Sequence, residues 1–384
     1  MRILFTFIGG LGHLHPLLPV ARAARDAGHD VAVAGHGGLA PSIEAAGFPA
    51  LATGPARPSG DAGRGRDLTP LLPVSSRATE IEFAENFADR GARRHAVALQ
   101  ELARSWRPDV MVRDDADLGA TVAAEVLGVP VASVTVLAAG TLVRPDLVVP
   151  RLDAVRAEHG LGPDPDLVAL SRGLVLVPFA PSFRSPAATI VPRDEVVHFR
   201  GGARTRPRSP AGRNDRRPRV YATLGTIFNT ECGDLLERLV AALGVVDADC
   251  LLTVGNQVDP DDLGPRPGHL RVERFVPQED VLPAVDLVVS HGGSGSLMAS
   301  LTQGLPSVLL PLGADQPHNA ARAEELGVAR VLDASSATPE VIATAVTAAV
   351  ADLGLHERAR QVAAEVDALP GAEAAVSAIE RLVS

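Results

Sequence analysis

Three short stretches gather the residue types that can do chemistry. The first, Gly9-Gly10-Leu11-Gly12-His13-Leu14-His15-Pro16, puts an imidazole just past a glycine turn. Glycines let a backbone approach a ligand closely, and an imidazole titrating near neutrality is suited to accept a proton. A histidine in such a turn also serves as a helix cap or a packing group. The second stretch, Ser290-His291-Gly292-Gly293-Ser294-Gly295-Ser296, is a run of small residues. Consecutive N–H groups at a helix start favour an anion and suit a diphosphate, with His291 helping to neutralise its charge. The plain alternative is a tight turn between strand and helix. In the third, Gly313-Ala314-Asp315-Gln316-Pro317-His318-Asn319, a carboxylate stands beside a carboxamide. Together they can accept from and donate to several sugar hydroxyls, although an aspartate there also caps a following helix.

Each stretch must join a strand to a helix, and the hydrophobic pattern supplies both. Apolar runs at 3–8, 31–34, 109–112 and 131–136 read as strands, and the segments 16–28, 41–46 and 116–127 as helices. Gly, Pro and Arg dominate 201–219, which reads as a linker. The rhythm then restarts. Strands are expected at 220–224, 250–254, 287–290 and 308–310, and helices at 234–243, 296–303 and 319–326. Three more helices fill 339–382. Such alternation predicts an α/β protein of two Rossmann-like, doubly wound parallel-sheet domains facing across a cleft. The expected divisions are residues 1–200, a linker at 201–218, residues 219–370, and a terminal helix at 371–384 returning to the amino-terminal domain.

Composition narrows the chemistry. With 384 residues, 46% of them hydrophobic, the chain can bury two cores and is not disordered. All 36 basic side chains are arginine. That excludes a phosphate-cradling lysine, a Schiff-base lysine and a lysine general base. A net charge of −10 opposes nucleic-acid binding. Two cysteines, Cys232 and Cys250, are too few for a disulfide framework or a thiolate metal site. No apolar run reaches the roughly 18–20 residues a membrane span requires, and the first residues lack a cleavage signal, so a cytoplasmic protein is expected. A nicotinamide site is disfavoured: His15 replaces the third fingerprint glycine, and Gly35-His36 stands where an acid belongs.

In their order and spacing, GGLGHLHPLLPVARAARDAGHDV, FVPQEDVLPAVDLVVSHGGSGS and LPLGADQPHNAARAEELGVA resemble the nucleotide-sugar glycosyltransferases of the GT-B fold. The bacterial enzymes that glycosylate antibiotics and other natural products are the nearest in kind. The likeness covers nearly the whole chain, is weakest from about residue 53 to 95, and is most specific in the carboxyl-terminal motifs. It implies that His13 is the catalytic base and that Asp114 or Asp115, in Val112-Arg113-Asp114-Asp115, is its acidic partner. It places the donor's base at Phe275, Val276 and Pro277. The diphosphate falls at His291, Gly292, Gly293, Gly295 and Ser296, and the donor sugar at Asp315 and Gln316. Gly225 and Thr226 form the opposite wall, with Gly12 also on the donor side. Relatives that use UDP-sugars often carry a glutamate eight residues after the first histidine of HGG, for the ribose hydroxyls. Here that position is Ala299, which implies a dTDP-sugar.

The expected reaction is therefore an inverting, metal-independent transfer to a small-molecule aglycone hydroxyl, with the nucleotide sugar as co-substrate and no further cofactor. Acceptor contacts are expected from Phe83, Phe87, Leu137 and the loop 54–72, all of which also fit ordinary packing. A GT-B-like epimerase and a non-catalytic sugar-nucleotide-binding protein are the competing readings. Oligomeric state is left open, a homodimer included.

Overall fold

The computed structural model describes residues 1–55, 66–202, 217–225 and 230–384. It forms two α/β units, each around one parallel sheet, in agreement with the expected fold class.

The first unit falls within Met1–Gly60, Arg77–Ala203 and Ala368–Ser384. Its strands are β1 (Arg2–Thr6), β2 (Asp30–Gly35), β3 (Ala50–Ala52), β4 (Val110–Asp114), β5 (Val131–Val134), β6 (Leu174–Val177) and β7 (Val196–His198). They are ordered β3-β2-β1-β4-β5-β6-β7. Both faces are covered, which is why Ile3, Leu4 and Phe5 are all fully buried and the strand sequences read as unbroken apolar runs. In register, Phe5 lies opposite Val112 and Thr6 opposite Arg113. The carboxyl ends of β1 and β4 therefore leave the sheet side by side. Strand order reverses at this point, the position where open α/β sheets bind ligands.

Helices Ala92–Trp106 and Leu118–Leu127 pack closely over this end of the sheet. Gly119 makes the approach possible: a Cβ there would stand 2.5 Å from the Ala92 carbonyl oxygen and 2.8 Å from His95 Cβ. Before them, residues Ala84–Gly91 are wound as a π-helix, a form common near functional sites. The terminal helix Ala372–Val383 buries Ala375, Val376, Ala378 and Ile379 in the core of this unit.

The second unit comprises β8 (Arg219–Thr223), β9 (Asp249–Thr253), β10 (Leu270–Glu273), β11 (Leu287–Ser290), β12 (Ser307–Leu309) and β13 (Ala329–Val331). Their order is β10-β9-β8-β11-β12-β13, so β8 and β11 mark its reversal. Helices Ser294–Thr302 and Gln316–Glu325 follow β11 and β12.

One segment departs from the expected division. Residues 66–76 group with the second unit, not with the amino-terminal half that precedes and follows them. Arg66 causes this: its guanidinium makes two bonds to Glu237, of 2.6 and 2.8 Å, and one to the Gly233 carbonyl at 3.1 Å. The Asp67 N–H donates to Thr230 O at 2.9 Å, and Leu71 packs on the second core. Within loop 54–72, residues 66–72 thus group with the second unit. The remainder of that loop, 56–65, and linker residues 203–216 lie outside the described residues. Among the described residues, no helix is long and apolar enough to cross a membrane.

The Gly119 contact sets a test of the packing. Gly119→Ala should destabilise the first unit by about 1–3 kcal/mol, because the obstacle is backbone and cannot swing aside. A thermal melt of the variant against the unmodified protein measures it.

Candidate active site

In the first unit, the turn after β1 and the end of β4 converge on one carboxylate. Asp114 is fully buried. Its Oδ2 lies 3.0 Å from His13 Nδ1 and accepts from the Ile8 N–H at 3.1 Å. Its Oδ1 accepts from the N–H groups of Ala116 and Asp117 at 2.7 and 2.6 Å. The His13 side chain keeps 22% of its surface exposed, so the ring is held on one side and reachable on the other. Gly9, at φ 104°, passes beneath the ring; a Cβ there would sit 2.9 Å from His13 Cδ2. Gly12 has open space where a side chain would be.

This geometry separates the two adjacent carboxylates. Asp114 is the partner of His13, and Asp115 is not. Successive strand residues point to opposite faces, so Asp115 turns away and accepts from the N–H groups of Val136 and Leu137, at 2.9 and 3.3 Å. Burial pushes its carboxyl above the usual range, against the pull of Arg184 and Arg113. Asp115 lines a cavity of about 40 Å³ with Arg113, Leu137 and Arg184. That volume suits a few waters and is far too small for an aglycone.

The expected acceptor residues divide. Phe83 is 4% exposed and Leu137 7%, so neither offers an open wall. Phe87, carried on the π-helical segment, is partly buried and stacks on His13 with centroids 5.8 Å apart; Phe83 stacks behind it at 4.8 Å.

In the second unit, β11 runs into Gly292 (φ 84°), and the helix Ser294–Thr302 starts at once, with Gly293 as N-cap and no side chain capping it. First-turn N–H groups at such a start are what an anion needs, although the first of them, on Ser294, donates to Asp315. The ring of His291 is wedged among glycines: a Cβ would stand 2.7 Å from it at Gly225 and 2.6 Å at Gly293. Burial lowers its pKa to about 4, despite Asp315 and a bond to the Thr223 backbone. His291 is therefore a neutral ring near pH 7.

Asp315 closes the turn. Its Oδ2 accepts from the Ser294 N–H and hydroxyl, at 3.3 and 2.6 Å, and from Asn319 Nδ2 at 2.7 Å. Asn319, 1% exposed, also donates to Gly292 O and Ser294 Oγ, each at 3.1 Å. It ties the two motifs together, and its place one turn after Asp315 on the same helix is the signal that marks it. Gln316 is likewise 1% exposed, and its Oε1 accepts from Leu312 and Gly313 at 2.7 and 3.2 Å. That oxygen braces the loop beside the turn.

Phe275 is 61% exposed, Val276 packs against a small apolar cluster, and Pro277 opens a short helix. Gln278 joins this turn to the diphosphate turn by donating to Ser296 Oγ at 3.1 Å. Gly295 has open space above it. Thr226 lies outside the described residues.

Known proteins match the chain in both units. The family described as "Erythromycin biosynthesis protein CIII-like" matches through its N-terminal domain at residues 22–154 and its C-terminal domain at 237–382. An elloramycin glycosyltransferase from Streptomyces olivaceus is 31% identical, over 96% of this chain and 94% of its own. A tylactone mycaminosyltransferase from Streptomyces fradiae is 29% identical, over 100% and 93%. Among solved structures, the glycosyltransferase SsfS6 of Streptomyces sp. SF2575, complexed with thymidine diphosphate, superposes with a TM-score of 0.74 at 26% identity, covering 99% of both chains. The protein belongs to the erythromycin biosynthesis protein CIII-like family of nucleotide-sugar glycosyltransferases, enzymes of natural-product biosynthesis with the GT-B fold.

Proposed function

We propose that the protein transfers a sugar from a dTDP-linked donor to a hydroxyl of a small natural-product aglycone, with inversion at the anomeric carbon. The observation that carries this reading is the His13–Asp114 pair, a partly exposed imidazole oriented by a buried carboxylate. With Nδ1 committed to Asp114, Nε2 takes the proton of the acceptor hydroxyl. The acceptor oxygen bonds to the anomeric carbon, the carbon–oxygen bond to the diphosphate breaks, and its electron pair leaves with the nucleoside diphosphate. Asp114 stabilises the imidazolium that results. The second unit must bring the donor to this group. Its first-turn N–H groups after Gly293 and the neutral His291 are fixed donors for the departing charge, and the scheme asks for no metal ion.

Several features support the finer assignments. Ala299 offers nothing to a ribose 2′-hydroxyl, and the relative SsfS6 was crystallised with thymidine diphosphate. Relatives named for tylactone and elloramycin support a natural-product acceptor. Phe87 is the aromatic group best placed to meet it. Unbridged, buried cysteines suit the cytoplasm.

Three measurements test this reading. His13→Ala should lower kcat/KM by about 10²–10⁴ with donor affinity unchanged; near-normal turnover removes the base from the scheme. In calorimetry, dTDP should bind more tightly than UDP, and the reverse order rejects the donor assignment. The third uses a dTDP-sugar, whose diphosphate carries no proton near neutrality. Bound anion raises the His291 pKa from about 4, so the complex holds more protons than the free enzyme. Affinity should therefore strengthen as pH falls from 7 to 5, with proton uptake that is lost in His291→Asn. Binding without proton exchange would put the diphosphate elsewhere.

A further inference from the structure

Behind the His13–Asp114 pair lies a second imidazole and carboxylate that the scheme above does not use. Asp117 is fully buried and His95 is 3% exposed. His95 Nδ1 is 3.1 Å from Asp117 Oδ2, and its Nε2 is 3.2 Å from Thr53 Oγ1, so both ring nitrogens face an oxygen. Asp117 Oδ2 also accepts from Thr6 Oγ1 at 2.6 Å, and its Oδ1 caps the helix Leu118–Leu127 through the Ala120 N–H at 3.1 Å. The same residue gives Asp114 its shortest hydrogen bond, the 2.6 Å bond from the Asp117 N–H. Thr6, at the end of β1, thus reaches Asp117, while Ile8, two residues on, reaches Asp114.

We propose that His95 and Asp117 are positioning residues for the transfer: together they fix the turn that aims Asp114, and the His95 ring, paired with Asp117 through Nδ1, offsets the charge of that carboxylate at His13. Neither touches substrate. The inference rests on the reading of His13 as base. Burial opposes charge on His95, but attraction and hydrogen bonding from Asp117, with Asp114 adding to it, outweigh this and raise its pKa. The charged groups facing His95 are Asp117 and Asp114 from the turn after β4, and Arg94 from its own helix, which acts the other way. Arg113, on β4, faces the same two aspartates. Thr6 and Thr53, from the ends of β1 and β3, are uncharged.

Charge balance gives a signature that a merely structural role does not. H95Q removes the cation, while Asp117 keeps the bonds from Thr6 and Ala120 that favour its ionised form. The extra negative charge holds the proton on His13, and the acid limb of the kcat/KM profile should move up by roughly half to one pH unit. H95Q/D117N removes both charges and should return the limb to its original position. A folded H95Q enzyme with an unmoved limb overturns the proposal, and so does a double variant whose limb stays displaced. Nitrogen-15 NMR of histidine-labelled, unmodified protein needs no variant: the His95 ring should keep its second proton to higher pH than a free imidazole does, and a ring that loses it earlier overturns the inference. That spectrum speaks to His95 whether or not His13→Ala retains turnover, so failure of this inference and failure of the proposed reaction are told apart.

Discussion

A buried carboxylate is tolerated only when its lone pairs are met, and Asp114 is met four times. Three backbone N–H groups and one imidazole converge on its two oxygens. Those donors come from the turn after β1, the turn after β4, and the short helix Leu11–Leu14 that carries His13. Satisfying one side chain therefore fixes three pieces of chain at once. It also fixes what the sheet must do: only the parallel register that sets Thr6 opposite Arg113 brings the Ile8 N–H to Asp114. Loss of that register would strand a charge in the core.

The second unit applies the same topology to the opposite task. Both sheets reverse their order at the pair of strands that carry the site, β1 with β4 and β8 with β11. In the first unit the gap at the reversal is filled by a carboxylate and an imidazole. In the second it is lined by small residues, and polar side chains are spent on one another. Asp315 and Asn319 bond to the Gly292–Ser294 turn, and Gln316 braces the preceding loop. The helix start that these bonds hold in place suits an anion.

Legibility in the sequence followed length and redundancy. Strands such as β1 and β11 were readable because sheets covered on both faces demand continuous apolar residues. The short strands β3, β6, β7, β10 and β13 were not. Three or four residues at or near a sheet edge carry no period, and Leu270–Glu273 alternates with charge. Asp114 could not be separated from Asp115 without knowing which face each takes, since one residue of register inverts the answer. Arg66 was illegible for another reason. Its attachment to Glu237 spans 171 positions, and no local pattern announces a contact at that separation. Gln316 and Asn319 were visible as polar residues on a helix start, but whether such a group faces a ligand or the loop beside it depends on packing.

The neutral state of His291 has a consequence for the proposed reaction. A full cation at the diphosphate would attract donor and product alike, and binding that is uniform along the reaction leaves turnover unimproved. A buried imidazole whose pKa is about 4 in the free protein carries little charge before the donor arrives, and its proton affinity rises only once the diphosphate is beside it. Charge grows on the diphosphate as the glycosidic bond breaks, and the ring's proton affinity grows with it. The interaction is then strongest when the leaving group is most negative, and the helix dipole acts in the same sense with no reorganisation. Glycine at Gly225 and Gly293 makes this possible, because any side chain there would drive the ring from its wedge. The two small residues are thus part of the electrostatics as much as of the shape.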